Sequence, residues 1–175
     1  PVAVNTRAVS AYLDGQIESG ADAVMVFDAW GGLLTADAYR RFSLGPMRDV
    51  LATLSARTGR TVPSIVFTKG GGAWLDEIAA CGADGVGLDW TVDLRAARAA
   101  VGGRVALQGN LDPLVLLTDP ATVAREAAAI VRAAGPAPGH IFNLGHGIVP
   151  GTPPENVAAL VEAVHATSRA NRAGA

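Results

Sequence analysis

Residues Gly20–Gly32 read GADAVMVFDAWGG, and the fold turns on how this stretch is understood. A glycine suited to ending a helix is followed by an unbroken apolar run, Ala23–Phe27, and then by a polar, glycine-rich corner, Asp28-Ala29-Trp30-Gly31-Gly32. Short, continuous rather than alternating hydrophobicity marks a strand covered on both faces, as in parallel sheets. The same kind of run returns at Val62–Phe67, Gly85–Leu88, Val105–Leu107 and His140–Leu144. Gly20-Ala21-Asp22-Ala23-Val24 is echoed by Gly82-Ala83-Asp84-Gly85-Val86, 62 residues on. That is the length of two βα units at about 30 residues each.

Helical spacing fills the intervals. Val123, Ala127, Ile130, Val131 and Ala134 share one face, as do Val157, Leu160, Val161 and Val164. Asp119-Pro120 opens the first of these helices. Thr152-Pro153-Pro154-Glu155 opens the second, with Thr as N-cap, Pro at the first helical position and Glu at the third. A further helix is expected over about residues 6–19, ahead of the first strand. Five strands, each followed by a helix, are too few to close a parallel barrel. The corner after the first strand is not a glycine-rich phosphate fingerprint, which weakens the case for an open doubly wound sheet. With no initiator Met, the chain is expected to form the last five βα units of a (β/α)8 barrel. Residues 1–175 would be the C-terminal part of a single barrel domain, with 169–175 a frayed tail.

Of the 175 residues 50% are hydrophobic and 17% charged, which excludes a disordered chain. No apolar run reaches the roughly 18–20 residues of a membrane-spanning helix. A formal charge of −2 offers no basic footprint for nucleic acid or anionic lipid. The one cysteine, Cys81, excludes an internal disulfide and a multi-thiolate metal site, and fits a reducing cytoplasm.

Chemistry in α/β folds gathers at the carboxyl ends of strands. Here those ends read Asp28-Ala29-Trp30-Gly31-Gly32, Thr68-Lys69-Gly70-Gly71-Gly72, Asp89-Trp90-Thr91, Gln108-Gly109-Asn110-Leu111-Asp112-Pro113 and Gly145-His146-Gly147. Asp28, Asp89 and Asp112 read first as turn or helix caps. Trp30, Trp74 and Trp90 read first as packing residues. Lys69 precedes its glycines, the reverse of a P-loop, although such a loop can still hold an anion. His165 on the last helix reads as structural or exposed, and His140 at a strand start as structural. His146 stands apart, because flanking glycines let the backbone turn sharply and leave the imidazole open to a pocket. No nucleophile elbow and no zinc spacing is present.

Phe27-Asp28-Ala29-Trp30-Gly31-Gly32, Gly87-Leu88-Asp89-Trp90, Leu107–Pro113 (LQGNLDP) and Asn143–Gly147 (NLGHG) resemble the uroporphyrinogen decarboxylase family, and Thr152–Val157 continues in register. The resemblance covers essentially the whole chain, as the C-terminal half of a family roughly twice this long. It implies a barrel enzyme, a cytoplasmic homodimer of haem and tetrapyrrole biosynthesis. The implied reaction removes the four acetate carboxyl groups of uroporphyrinogen III to give coproporphyrinogen III, without metal or organic cofactor. The family's Asp, Arg and Tyr of the acid chemistry are expected upstream of Pro1. No catalytic residue is therefore assigned here, and this part alone is expected to be inactive.

What the resemblance carries onto this chain is substrate contact by His146, Phe27 and Ala29. The family usually has Ser or Thr at the position of Ala29, whose methyl group cannot donate a hydrogen bond. Two alternatives stand beside this reading. One is a related zinc or cobalamin-type methyltransferase barrel, disfavoured by a lone Cys81 and by His146 where such enzymes are expected to carry Cys. The other is an inactive porphyrin-binding paralogue.

Overall fold

The computed structural model describes residues 1–57 and 62–173. Its contacts divide into two compact units, residues 1–87 and 88–175. Among the described residues no helix is long and apolar enough to cross a membrane.

The first unit opens with α1 (Val2–Glu18). It starts four residues before the expected position, because the Pro1 carbonyl already accepts the N–H groups of Val4 and Asn5. Three parallel strands follow in chain order: β1 (Val24–Asp28), β2 (Ser64–Thr68) and β3 (Gly85–Gly87). Register pairs Phe27 with Phe67 and Phe67 with Gly87. Alternation then sends Val24, Val66 and Val86 to a buried face, where Leu13 and Ile17 of α1 are also buried. β2 is buried at every position except the half-buried Ile65. β1 departs from the expectation of two covered faces, since Phe27 is 69% exposed.

Between β1 and β2 lie α2 (Ala36–Tyr39), one π turn (Arg40–Leu44) and α3 (Gly45–Arg57), which packs on α1. α4 (Leu75–Ala79) leads to β3 through Cys81, which is buried. Gly20 and Gly82, the echoed pair, adopt φ of +104° and +100°. Each supplies the left-handed corner between a helix and the next strand.

The second unit contains α5 (Leu94–Val101), β4 (Ala106–Gln108), α6 (Pro120–Ala134), β5 (His140–Ile141) and α7 (Pro154–Ala173). β4 and β5 are parallel, Leu107 opposite His140. β5 is shorter than the expected His140–Leu144; beyond Ile141 the pairing resumes only as a bridge from Leu144 to Leu111. Leu111, Leu116, Val123, Ala127 and Leu160 form the core, with Phe142, Leu144 and Val164 against it. Each fully buried Leu or Val contributes roughly 1.5–3 kcal/mol.

The α6 start is as read from sequence: Asp119 Oδ1 accepts the Thr122 N–H at 2.9 Å, with Pro120 first in the helix. α7 starts differently. Thr152 turns its hydroxyl back to the Val149 carbonyl (2.8 Å), and the Pro153 carbonyl takes the N–H groups of Asn156 and Val157. The inward face of α7 is also rotated, with Asn156 and Leu160 buried and Val161 45% exposed. Asn156 Nδ2 donates to the Leu116 and Thr118 carbonyls, which draws that side of the helix inward. Helix continues to Ala173 through most of the stretch expected to fray, and Asn171 Nδ2 is tied to the Val131 carbonyl at 3.2 Å. Residues 174 and 175 lie outside the described residues.

Candidate functional site

In the first unit the strand-end corner is built around the Asp28 carboxylate. Its Oδ1 accepts the backbone N–H of Trp30 (3.0 Å) and Gly31 (2.8 Å), and its Oδ2 accepts the Ser43 hydroxyl in a very short contact. An Asp whose carboxylate is filled by its own turn is a structural cap. Gly31 and Gly32 are required by contact. A Cβ on Gly31 would overlap Asp28 Oδ2, and one on Gly32 would overlap Lys69 O and stand 2.6 Å from Gly70 Cα. The Gly32 N–H donates to Lys69 O, and the Lys69 N–H to Asp28 O, so the β1 and β2 corners are laced together.

Above this frame Phe27, Ala29 and Trp30 are exposed. Phe27 meets Phe67 with ring centroids 6.1 Å apart, and Trp30 is 75% exposed. Trp74, read as a packing residue, does pack: it stacks on Tyr39 at 4.4 Å. The Tyr39 hydroxyl, beside Thr68, has its proton affinity raised by burial and by the nearby Asp28 charge, against the opposing Thr68 and Ser43 hydrogen bonds. Nothing in the sequence linked Ser43 or Tyr39 to the corner. The π turn at Arg40–Leu44 brings Ser43 against Asp28, and such turns carry no reliable local signal.

In the second unit three strand ends lie side by side. Asp89 is buried, and its Oδ1 accepts the Thr91 N–H (2.8 Å) and the Thr91 hydroxyl. Asp112 caps the turn that follows it through the Leu114 N–H at 2.9 Å. Asn110, also buried, donates both Nδ2 protons, to Asp89 O (2.8 Å) and Val92 O (2.7 Å). It was not singled out from sequence. Gly145 is pinned between two segments of the fold: its N–H donates to Leu111 O at 2.7 Å, and a Cβ there would overlap Trp90 N. The next residue, His146, is exposed, with its ring perpendicular to that of Trp90 at 6.3 Å between centroids.

The other two histidines lie as the sequence reading has them. His165 is exposed on α7. His140 is half-buried, with Nε2 2.9 Å from Gly109 O. A carbonyl only accepts, so Nε2 carries the proton, and burial lowers the proton affinity of the ring. Among the described residues no group of three or more His, Cys, Asp or Glu side chains is placed to hold a metal ion.

The model of the family described as uroporphyrinogen decarboxylase (URO-D) matches residues 2–167. The chain belongs to this family. It is 60% identical over 173 residues to the uroporphyrinogen decarboxylase of Burkholderia pseudomallei (strain 668), covering 98% of this chain and 48% of that protein. The uroporphyrinogen decarboxylase of Aromatoleum aromaticum is 59% identical over 172 residues, with the same coverage. The chain thus spans about half the length of these relatives. A solved methyltransferase from Methanosarcina mazei superposes with a TM-score of 0.79 at 24% identity, covering 92% of this chain and 47% of that one. That likeness is one of fold alone. Parallel strands in chain order, alternating with helices, follow the (β/α)8 plan of which this chain carries part.

The family resemblance points to Phe27, Ala29 and His146. Phe27 and Ala29 share the first unit's corner; His146 belongs to the second unit. All three are exposed, Phe27 near the end of β1 and Ala29 and His146 on the glycine-rich segments that follow strand ends.

Proposed function

We propose that the complete protein is a uroporphyrinogen decarboxylase and that residues 1–175 supply part of its substrate-binding surface. The observation carrying this reading is 60% identity, sustained over 98% of the chain, to a protein of that name. In the reaction a proton adds to a pyrrole ring, the bond to the acetate carboxyl group breaks and CO2 leaves. The electron pair flows into the protonated ring, the exocyclic carbon takes a proton to become methyl, and the ring gives back the proton it first accepted, which restores the pyrrole. The acid groups for the first step lie, on this reading, upstream of Pro1.

The present residues do the holding. His146, lifted on its glycine turn, donates an imidazole N–H to a substrate carboxylate, a charge-assisted bond stronger than a neutral one. Phe27 gives the macrocycle an apolar wall. Ala29 lines the same surface without a hydroxyl to contribute, leaving its backbone N–H or a water to make that contact. The complete protein works on this reading as a cytoplasmic homodimer with one barrel per chain and no cofactor.

The test is steady-state turnover of uroporphyrinogen by the complete protein and its His146→Ala variant. The expected result is conversion to coproporphyrinogen, slowed in the variant while its fold is unchanged. Absence of any conversion by the parent protein would favour the inactive paralogue. Unchanged kinetics in the variant for all four decarboxylations would remove His146 from the site.

A further inference from the structure

We infer that Trp90 is a positioning residue that orients the His146 imidazole toward substrate. This deepens the proposed function and rests on the reading that His146 meets a substrate carboxylate. A histidine side chain turns about two torsions, and every direction it gives up on binding weakens affinity. Trp90 narrows that range before substrate arrives. Its ring stands at 90° to the imidazole, centroids 6.3 Å apart, an edge-to-face arrangement that favours one ring orientation.

The exposure of Trp90 separates this role from core packing. Trp90 is 37% exposed, whereas its neighbour Asp89 is only 1% exposed. The indole therefore stands at the surface on a rigid base.

That base is built from one short segment, Gln108–Leu111. On one side Gln108 O accepts the Leu88 N–H, and Asn110 Nδ2 grips the carbonyls of Asp89 and Val92, which bracket Trp90 in sequence. On the other side Leu111 N donates to Asn143 O, and Leu111 O accepts the Gly145 N–H just before His146. Both rings thus hang from the same four residues. Gly145 completes the arrangement by bringing the backbone of the His146 turn into contact with that of Trp90, with no room for a side chain between them.

The experiment uses the complete protein with Trp90→Leu and Trp90→Phe, reading KM and kcat for uroporphyrinogen and, from three-bond couplings in selectively labelled His146, the population of its main χ1 rotamer. Trp90→Leu is expected to raise KM about two- to tenfold while kcat changes less than about twofold, and to spread His146 over more than one rotamer. Trp90→Phe keeps an aromatic ring and restores KM and rotamer population most of the way. A Trp90→Leu protein with parental melting temperature, KM and rotamer population overturns the inference. Should the parent not convert uroporphyrinogen, the proposed function fails. The rotamer population of the variant then still decides whether Trp90 orients His146: spread, it supports the inference; unchanged, it sinks it.

Discussion

The Tyr39 hydroxyl lies 3.0 Å from Thr68 Oγ1, joining the end of α2 to the end of β2. Neither residue reaches solvent appreciably: Tyr39 is fully buried and Thr68 is 3% exposed. The pair sits directly behind the corner that presents Phe27 and Ala29, and stacking on Trp74 fixes the Tyr39 ring from the other side. The corner is therefore held from the buried face by polar contacts, where most of the surrounding packing is apolar.

Tyr39→Phe keeps the ring and removes the hydroxyl, leaving the buried Thr68 hydroxyl one partner short. A loss of about 1–2 kcal/mol in unfolding free energy is expected, measured by denaturant titration of the complete protein. Wild-type stability in the variant would mean that the hydroxyl pair contributes nothing net.

Ala29→Thr adds a hydroxyl at an exposed position without crowding the interior. On the proposed function it gains one hydrogen bond to substrate, worth about 0.5–1.5 kcal/mol, so KM for uroporphyrinogen should fall about two- to tenfold. An unchanged or higher KM would mean that position 29 does not face the substrate.

Acid should weaken the fold through His140. Burial holds its proton affinity below the ordinary value of 6.5, and the nearby Arg98 adds to this, although its bond to Gly109 O opposes both. Below pH 6.5 the unfolded chain takes up a proton that the folded chain refuses, so stability declines as pH falls toward the folded value and levels off beyond it. The melting temperature of the complete protein should show this decline, and His140→Gln should flatten it. An equal decline in the variant would assign the effect to other groups.

Gly145→Ala is expected to disrupt its site far more than an ordinary surface substitution. The added methyl would overlap Trp90 N and stand 2.9 Å from the Asp89 carbonyl carbon, so backbone rather than a flexible side chain must yield. Lowered thermal stability together with a raised KM is the expected pair of outcomes. Gly147→Ala, with open space at the same position, serves as the mild control.

Much of this architecture could be read from residue order, because strand and helix leave periodic traces. The runs at Ala23–Phe27 and Val62–Phe67 lie within one or two residues of β1 and β2, and Asp119-Pro120 caps α6 through its side chain. The failures are equally physical. Thr152 looked like an N-cap, but the proline pair beyond it shifts the helix start and sends its hydroxyl to Val149. Val161 looked inward because an apolar residue was expected to face the core; the buried Asn156 shifts the inward face toward itself. Of the candidate residues, His146 was visible through its flanking glycines at a strand end, and Ala29 only through the family resemblance. Ser43 and Asn110 were not, since each acts on a partner 15 or more residues away, and only the folded chain brings those groups together.

Cys81 turns the first unit into its own stopwatch. The chain has a single cysteine, buried where α4 gives way to β3, and burial pushes its thiol above the ordinary value of 9.0. A buried, protonated thiol is inert to alkylating reagents until the corner around it opens. The rate at which one such reagent marks the folded chain therefore times the opening of that corner, with no second thiol in residues 1–175 to blur the reading.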